Sequence, residues 1–247
     1  MCGRFVTASS PALLAERFDV DEVAIEGATE PSYNVAPRAQ VAVVRQRDDR
    51  RVMSRVRWGL VPSWAKDPSI GDRMINARAE TIATKPAYKR SFVKKRCLIP
   101  ADGFYEWQVV APPTTPKGRP RKQPVFVHRR DGEPMAFAGL WDVWKAPEGA
   151  EVEGQGPDGW LRSCVIVTTR ANDLLTPIHE RMPVLLSESA WATWLDPAND
   201  DVEALASLLA PAPDADLEVW PVSTAVNSAD NDSSELVRPV EPDVAVS

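Results

Sequence analysis

Cys2 is the residue with the most unusual chemical potential in this chain. A small residue after Met1 normally allows that methionine to be trimmed, and Cys2 would then carry the α-amine as well as the thiol. The amine of a terminal residue has a pKa of roughly 8 and a cysteine thiol roughly 8.5, so a large share of the amine is neutral near pH 7. Such an amine forms a Schiff base with an aldehyde. The neighbouring thiol then adds to the imine carbon and closes a five-membered thiazolidine, a reaction open to no internal cysteine. Position alone also permits the plainer reading, that a cysteine at position 2 is incidental.

Three further clusters carry side chains suited to such chemistry. His179 is one of two histidines and lies between prolines in Thr176-Pro177-Ile178-His179-Glu180-Arg181-Met182-Pro183. Histidine is the side chain best matched to proton transfer near neutrality, and Arg181 beside it could hold an anion; a loop histidine held by hydrogen bonds fits equally well. Glu106 sits in Gly103-Phe104-Tyr105-Glu106-Trp107. Strand alternation puts it on the face of Phe104, opposite Tyr105 and Trp107. It is thus either on a wet face or in an apolar pocket that raises its pKa and makes it a usable acid or base. Asn76 and Arg78 open Asn76-Ala77-Arg78-Ala79-Glu80-Thr81. A helix starting there would offer first-turn amides and Arg78 to a phosphate, or simply be a capped helix with an exposed arginine. Trp58 and Trp64, among nine tryptophans, lie near arginines, the composition of a single-strand stacking platform and also of an ordinary core. His128, next to Arg129 and Arg130, reads as a surface residue.

The elements that must position these residues are mostly strands. Ser10 and Pro11 cap and open a helix. Strands are predicted over Gln40–Val44 and Arg51–Leu60, joined at Asp48-Asp49. Two more, Cys97–Pro100 and Phe104–Val110, flank an Asp102-Gly103 turn. Val125–His128 and Met135–Trp141 read as a hairpin across Asp131-Gly132. Cys164–Thr169 reads as a buried strand and Asn76–Thr84 as a short helix. Late helices are predicted over Glu188–Leu195 and Val202–Leu209, the second with a capping box of Asp200 and Glu203. The proline-rich basic stretch Ala111–Pro124 and the Gly/Glu-rich stretch Ala146–Gly159 read as loops within one domain. The polar, acidic end from about Ser228 reads as a flexible tail. This order predicts an α+β fold around an antiparallel sheet or barrel.

The 247 residues suffice for one large domain with its own core. Apolar residues make up 44% and charged residues 26%, as in soluble globular proteins. No stretch approaches the ~18 apolar residues of a membrane span. Three scattered cysteines and two histidines show no disulfide framework or zinc-ligand spacing, so a cytoplasmic protein without a metal or other cofactor is expected. The net charge of −6 argues against a nucleic-acid partner, but it hides an asymmetry. Arg38 to Arg130 contains 22 basic and 7 acidic residues, a net +15, leaving −21 for the rest. Such a block can present a local field to a polyanion, or be dispersed over a solvated face.

Taken together, the segments resemble the SRAP (SOS response-associated peptidase) family. The resemblance rests on Met1-Cys2-Gly3-Arg4-Phe5, Tyr33-Asn34-Val35-Ala36-Pro37, Arg57-Trp58-Gly59-Leu60-Val61-Pro62, Asn76-Ala77-Arg78-Ala79-Glu80-Thr81, Arg96-Cys97-Leu98-Ile99-Pro100, Gly103-Phe104-Tyr105-Glu106-Trp107, Ala138-Gly139-Leu140-Trp141 and His179-Glu180-Arg181-Met182-Pro183, in that order. It implies a single α+β domain over residues 1–227 with a barrel-like core, a few peripheral helices and a tail over 228–247. It implies a monomeric protein that recognises abasic sites in single-stranded DNA and crosslinks to them as part of a DNA damage response. In that reading Cys2 is the nucleophile, Glu106 assists proton transfers, and His179 helps open the deoxyribose. Asn34 and Asn76 line the site, and Arg4, Arg78 and Arg181 hold phosphates. Trp58, Trp64 and Trp107 contact bases or sugars. Two alternatives remain. One is a glutamine amidotransferase with a terminal cysteine nucleophile, whose other expected segments (Arg-Gly-Pro-Asp, Gly-His-x-Arg) are missing from the sequence. The other is a non-covalent single-strand-binding module.

Overall fold

A computed structural model of the chain describes residues 2–25, 30–111, 118, 120–147, 149 and 152–241. Its strands are β1 (Phe5–Thr7), β2 (Glu22–Ala24), β3 (Ser32–Val35), β4 (Gln40–Arg47), β5 (Arg50–Trp58), β6 (Asn76–Arg78), β7 (Arg96–Ala101), β8 (Gly103–Ala111), β9 (Arg121–Arg129), β10 (Met135–Lys145), β11 (Trp160–Arg170), β12 (Arg181–Pro183) and β13 (Leu217–Pro221). Four short helices accompany them: α1 (Pro11–Arg17), α2 (Lys89–Lys94), α3 (Glu188–Leu195) and α4 (Val202–Ser207). The fold is α+β, as the sequence predicts.

The strands form two sheets, β13-β9-β8-β1-β3 and β12-β11-β10-β7-β4-β5-β2, with β6 added beside β11. Within the larger sheet, five strands close on themselves. β5, β4, β7, β10 and β11 follow one another antiparallel, and β11 rejoins β5 in parallel at Ser163↔Arg57 and Cys164↔Trp58. Closure removes the exposed edges of these strands. It depends on Gly59, whose φ of +125° few L-residues adopt and whose Cβ would lie 2.6 Å from the Gly71 carbonyl oxygen. There β5 ends and the chain crosses to β11, with Gly59 N–H donating to Cys164 O at 2.9 Å and Val61 N–H to Ser163 Oγ at 2.8 Å.

Both faces of the larger sheet are covered, which explains the unbroken apolar run Cys164–Val167 in β11. One face, with Val44, Met53, Leu98 and Val165, packs under the four helices. The other, with Val43, Val56, Trp58, Ile99 and Ile166, packs against Phe5, Phe104 and Val127 of the smaller sheet. Arg96 is buried and holds the helices to β7. Its Nη1 donates to Phe92 O and Val93 O at 2.8 and 2.6 Å, and its Nε to Trp194 O at 2.5 Å, so one cation satisfies carbonyls at the ends of α2 and α3.

Several local readings are corrected. At Asp102 the chain only bends, passing from β7 in the larger sheet into β8 in the smaller, and Asp131-Gly132 turns the chain without closing a hairpin, because β9 belongs to the smaller sheet and β10 to the larger. Residues 76–84 form no α-helix; they give strand β6, a 3₁₀ turn at Ala79–Thr81 and further turns. The amides expected to cradle a phosphate there are instead in the β6–β11 ladder. The cap of α4 is Asp201, accepting from Glu203 and Ala204 N–H at 3.0 Å each, not Asp200. The loop predicted over 111–124 ends by Arg121, where β9 begins; residues 112–117 and 119 lie outside the described residues. Residues 228–241 also pack: Leu236 is buried beside Val6 and Tyr105, and Trp220 Nε1 donates to Val237 O at 2.9 Å.

Asp102, at the crossing between sheets, holds the end of β1. Its Oδ2 accepts from the Ala8 and Ser9 amides at 2.6 and 2.9 Å, and its Oδ1 from the Ser9 hydroxyl. Asp102→Ala leaves those donors without their acceptor and is expected to destabilise the fold by about 1–3 kcal/mol, read as a lowered urea midpoint with an unchanged m-value.

Candidate functional site

The site begins with β1. This strand lies between β8 and β3, paired at Phe5↔Phe104 and Phe5↔Val35, so the first residues of the described chain are inside a sheet rather than fraying at its edge. Phe5 is fully buried and makes edge contacts with Trp58 and Phe137, ring centroids 5.0 and 5.9 Å apart. Cys2, three residues earlier, is fully buried as a free thiol in the same apolar cluster. Its carbonyl accepts from Asn76 Nδ2 at 2.7 Å, and its Sγ lies 4.0 Å from Arg4 O. Asn76 is presented by β6, which is level with Ile166 of β11. Asn76 Oδ1 is buried with no hydrogen-bond partner among the described residues.

Glu106 comes from β8, the strand that pairs with β1. It is 3% exposed, and alternation puts Phe104 with it on the Cys2 side while Tyr105 and Trp107 join a separate cluster with Val6 and Val222. Burial pushes its carboxyl above the usual carboxylate range, and nearby His179 pulls it part of the way back. Burial, reinforced by the Glu106 carboxylate, pushes the Cys2 thiol far above its ordinary pKa. Glu106 is thus within electrostatic reach of both Cys2 and His179. A thiol in this setting is protonated at neutral pH, and the nearest carboxylate has the raised proton affinity that proton exchange requires.

His179 is half-buried just before β12. Its N–H donates to Leu175 O at 2.9 Å, and its Nδ1 accepts from the Arg181 N–H at 2.9 Å. That acceptor role places the proton of the neutral ring on Nε2.

The remaining predicted residues divide by what already occupies them. Arg4 Nη1 donates to Asn34 Oδ1 at 2.8 Å and to Val226 O at 3.0 Å, and partial burial lowers its pKa. Asn34 is buried, with Nδ2 donating to Ser228 O and Asn231 O at 2.8 Å each and to Val226 O at 3.3 Å. It fastens the 226–231 segment beside β1. Arg181 forms a two-pronged ion pair with Glu80, at 2.5 and 2.9 Å, and donates to Thr168 O at 2.6 Å. Arg78 is exposed, with no hydrogen bond or ion pair among the described residues. Trp64 is 59% exposed. Trp107 is half-buried, its Nε1 donating to Asn227 Oδ1 at 2.7 Å. Trp58 is a correction. It is fully buried, with Nε1 donating to Ile75 O at 2.9 Å, and has no surface on which a base could stack. Its part is to back Phe5. The partners Glu80, Asn227 and the Val226 carbonyl had no signal in the sequence, since each becomes a neighbour only through contacts a hundred or more residues long.

The chain is similar to known proteins. A family model described as SOS response associated peptidase (SRAP) matches residues 1–229. The chain is 42% identical over 238 residues to the abasic site processing protein YoqW of Bacillus subtilis, covering 96% of this chain and 99% of that protein. It is 34% identical to the abasic site processing protein YedK of Escherichia coli, covering 97% and 100%, and 34% identical to the abasic site processing protein HMCES of Gallus gallus, covering 87% and 68%. A crystal structure of a protein from Bacteroides thetaiotaomicron matches the fold with a TM-score of 0.80 at 22% identity, over 97% of this chain and 100% of that one.

A raised carboxyl pKa has a defined effect on stability. The folded state holds the Glu106 proton more tightly than the unfolded chain, where glutamate titrates near about 4.3. Stability tied to that proton is fully present below the unfolded value and is lost as pH rises through the folded one. Glu106→Gln removes this loss. Urea midpoints from about pH 4 to about pH 8 should therefore shift in favour of Glu106→Gln relative to the unsubstituted protein; a difference independent of pH would contradict the raised value.

Proposed function

Because the chain belongs to the SOS response associated peptidase (SRAP) family, we propose that it handles abasic sites in DNA, forming a covalent link through Cys2 once Met1 has been removed. The observation that carries this reading is the burial of Cys2 beside a carboxyl of raised pKa that also lies within reach of His179. Relatives at 34–42% identity named abasic site processing proteins support the substrate class.

An abasic deoxyribose exchanges between a closed ring and an open aldehyde. His179 Nε2–H donates a hydrogen bond to the ring oxygen; as the C1′–O bond breaks, the C1′ hydroxyl gives its proton to water and the ring oxygen takes one from water, leaving the aldehyde. The Cys2 α-amine attacks C1′ to form a carbinolamine, and loss of water leaves a C=N bond. The thiol then adds to the same carbon. An S–C1′ bond forms, the imine π electrons go to nitrogen, and Glu106 accepts the thiol proton and delivers it to that nitrogen. The product is a thiazolidine, balanced in atoms and electrons, with no oxidant or cofactor.

The protonated state of the thiol suits this order. The amine reacts first, and the thiol reacts only when an imine lies beside it and Glu106 can take its proton. Closing the ring removes the imine that would otherwise promote β-elimination and strand breakage, so the outcome is a shielded lesion. Asn76 fixes the Cys2 carbonyl, and with it the direction of the amine. Arg78 is the uncommitted cation nearest in sequence to that asparagine and serves as a phosphate contact. Arg4 and Arg181 add positive field while held by Asn34 and Glu80, and of Trp58, Trp64 and Trp107 the latter two have surface to offer a base or sugar.

The test uses a single-stranded oligonucleotide with one abasic site, and reads denaturation-resistant adduct on a gel. Cys2→Ala is expected to abolish the adduct while leaving non-covalent binding in place. Glu106→Gln and His179→Ala are each expected to slow it by about 10²-fold, the usual worth of a positioned proton-transfer group or hydrogen-bond donor. An equal yield from Cys2→Ala would overturn the covalent role and leave a non-covalent binder; wild-type rates in both other variants would remove their roles.

A further inference from the structure

The face of the larger sheet that carries the Cys2 cluster continues beyond the smaller sheet. Arg162, Cys164 and Ile166 alternate onto one face of β11, as do Val43 and Arg45 on β4. Cys164, Ile166 and Val43 are buried in the Cys2 cluster, but Arg45 and Arg162 stand where that cover stops. With Arg47, Asp48 and Trp141 they line an open groove of about 600 Å³.

Arg45 is the informative residue. It is half-buried, its Nε is buried without a hydrogen-bond partner, and no carboxylate pairs with it among the described residues. Its guanidinium lies 4.7 Å from the Trp141 ring centroid. Burial lowers its pKa, positive Arg162 and Arg47 lower it further, and Glu22 eases it only in part. Its neighbours are partly neutralised: Arg162 by Asp158 at 2.6 Å, Arg47 by Glu22 at 3.8 Å. Lys95, 5.5 Å from the Trp141 ring, is paired with Asp142 at 2.5 Å. A guanidinium in the field of two others, with no carboxylate of its own, gains most from an oxyanion, and its fork matches a phosphate. Trp141, already covered by two cations, offers little face to a base. This surface therefore suits a backbone rather than bases.

We infer that the groove at Arg45, Arg47 and Arg162 receives the phosphodiester backbone of the DNA at a distance from the lesion, without reading sequence. The inference rests on the proposed action on DNA. Ile166 is level with Asn76, which holds Cys2, and Arg162 lies four residues back along β11. At ~3.3 Å per residue that is ~13 Å, or about four phosphates of a stacked strand at ~3.4 Å each.

The test compares the unsubstituted protein with Arg45→Gln/Arg47→Gln, and with Arg47→Gln alone because Arg47 is exposed and its loss leaves the core intact. Fluorescence anisotropy is measured against salt on three intact probes: a strand of about 5 nucleotides, one of about 30, and the short strand extended by duplex. On the long probes the double variant is expected to bind about tenfold more weakly at low salt, with a salt slope smaller by about 1–2 and Arg47→Gln intermediate. Affinity for the short strand, and adduct formation on its abasic form, should not change. Loss on the single strand or on the duplex extension identifies which backbone the groove takes. Unchanged affinity and slope on both long probes would overturn the inference. Absence of adduct with the unsubstituted protein on the short abasic strand would instead count against the proposed function, and the anisotropy result would remain readable.

Discussion

The arrangement depends on the burial of β1. A chain terminus ordinarily frays because its first residues lose backbone entropy for few contacts. Here Phe5 supplies the contacts, wedged against Trp58 and Phe137 between the two sheets, while β8 and β3 satisfy the backbone on either side. Cys2 is consequently fixed to within three residues of a central strand. Glu106 arrives on the strand hydrogen-bonded to β1, so Cys2 and the carboxyl are positioned by one local ladder rather than by distant loops. His179 and Asn76 enter from the other sheet, through β12 and β6 on either side of β11. Loosening Phe5 would separate the two halves of the site.

Charge is distributed by the same logic. Much of the basic block is engaged in structure: Arg57 with Asp72 at 2.7 Å, Arg96 with helix-end carbonyls, Arg38 with Asp72. Net charge therefore says little about partners in this fold. What matters is where the cations without a carboxylate ion pair lie among the described residues, such as Arg78 near Asn76 and Arg45 at the open end of the sheet.

Much of this was legible in the sequence where the signal is local. Ser10 caps α1 through its side chain, α3 spans Glu188–Leu195 as the pattern predicts, and alternation alone put Glu106 with Phe104. The failures share one cause. Asp131-Gly132 does turn the chain, but turn residues do not specify the strand's partner, and β9 and β10 lie in different sheets; Asp102-Gly103 has turn composition, yet the chain there only bends from one sheet into the other. Residues 76–84 have helix-forming alanines and a glutamate, yet pairing with β11 overrode propensity. Trp58 shares its composition with a stacking platform, and only the closure of β5 onto β11 buries it.

The central claim is that both the amine and the thiol of Cys2 end on one carbon. Peptide mapping of the purified DNA adduct by mass spectrometry, after alkylation of free thiols and labelling of free amines, tests it directly. The N-terminal peptide is expected to begin at Cys2, to carry the sugar remnant, and to be neither alkylated nor amine-labelled. A remnant on a lysine, or on a Cys2 whose thiol still alkylates, would contradict it.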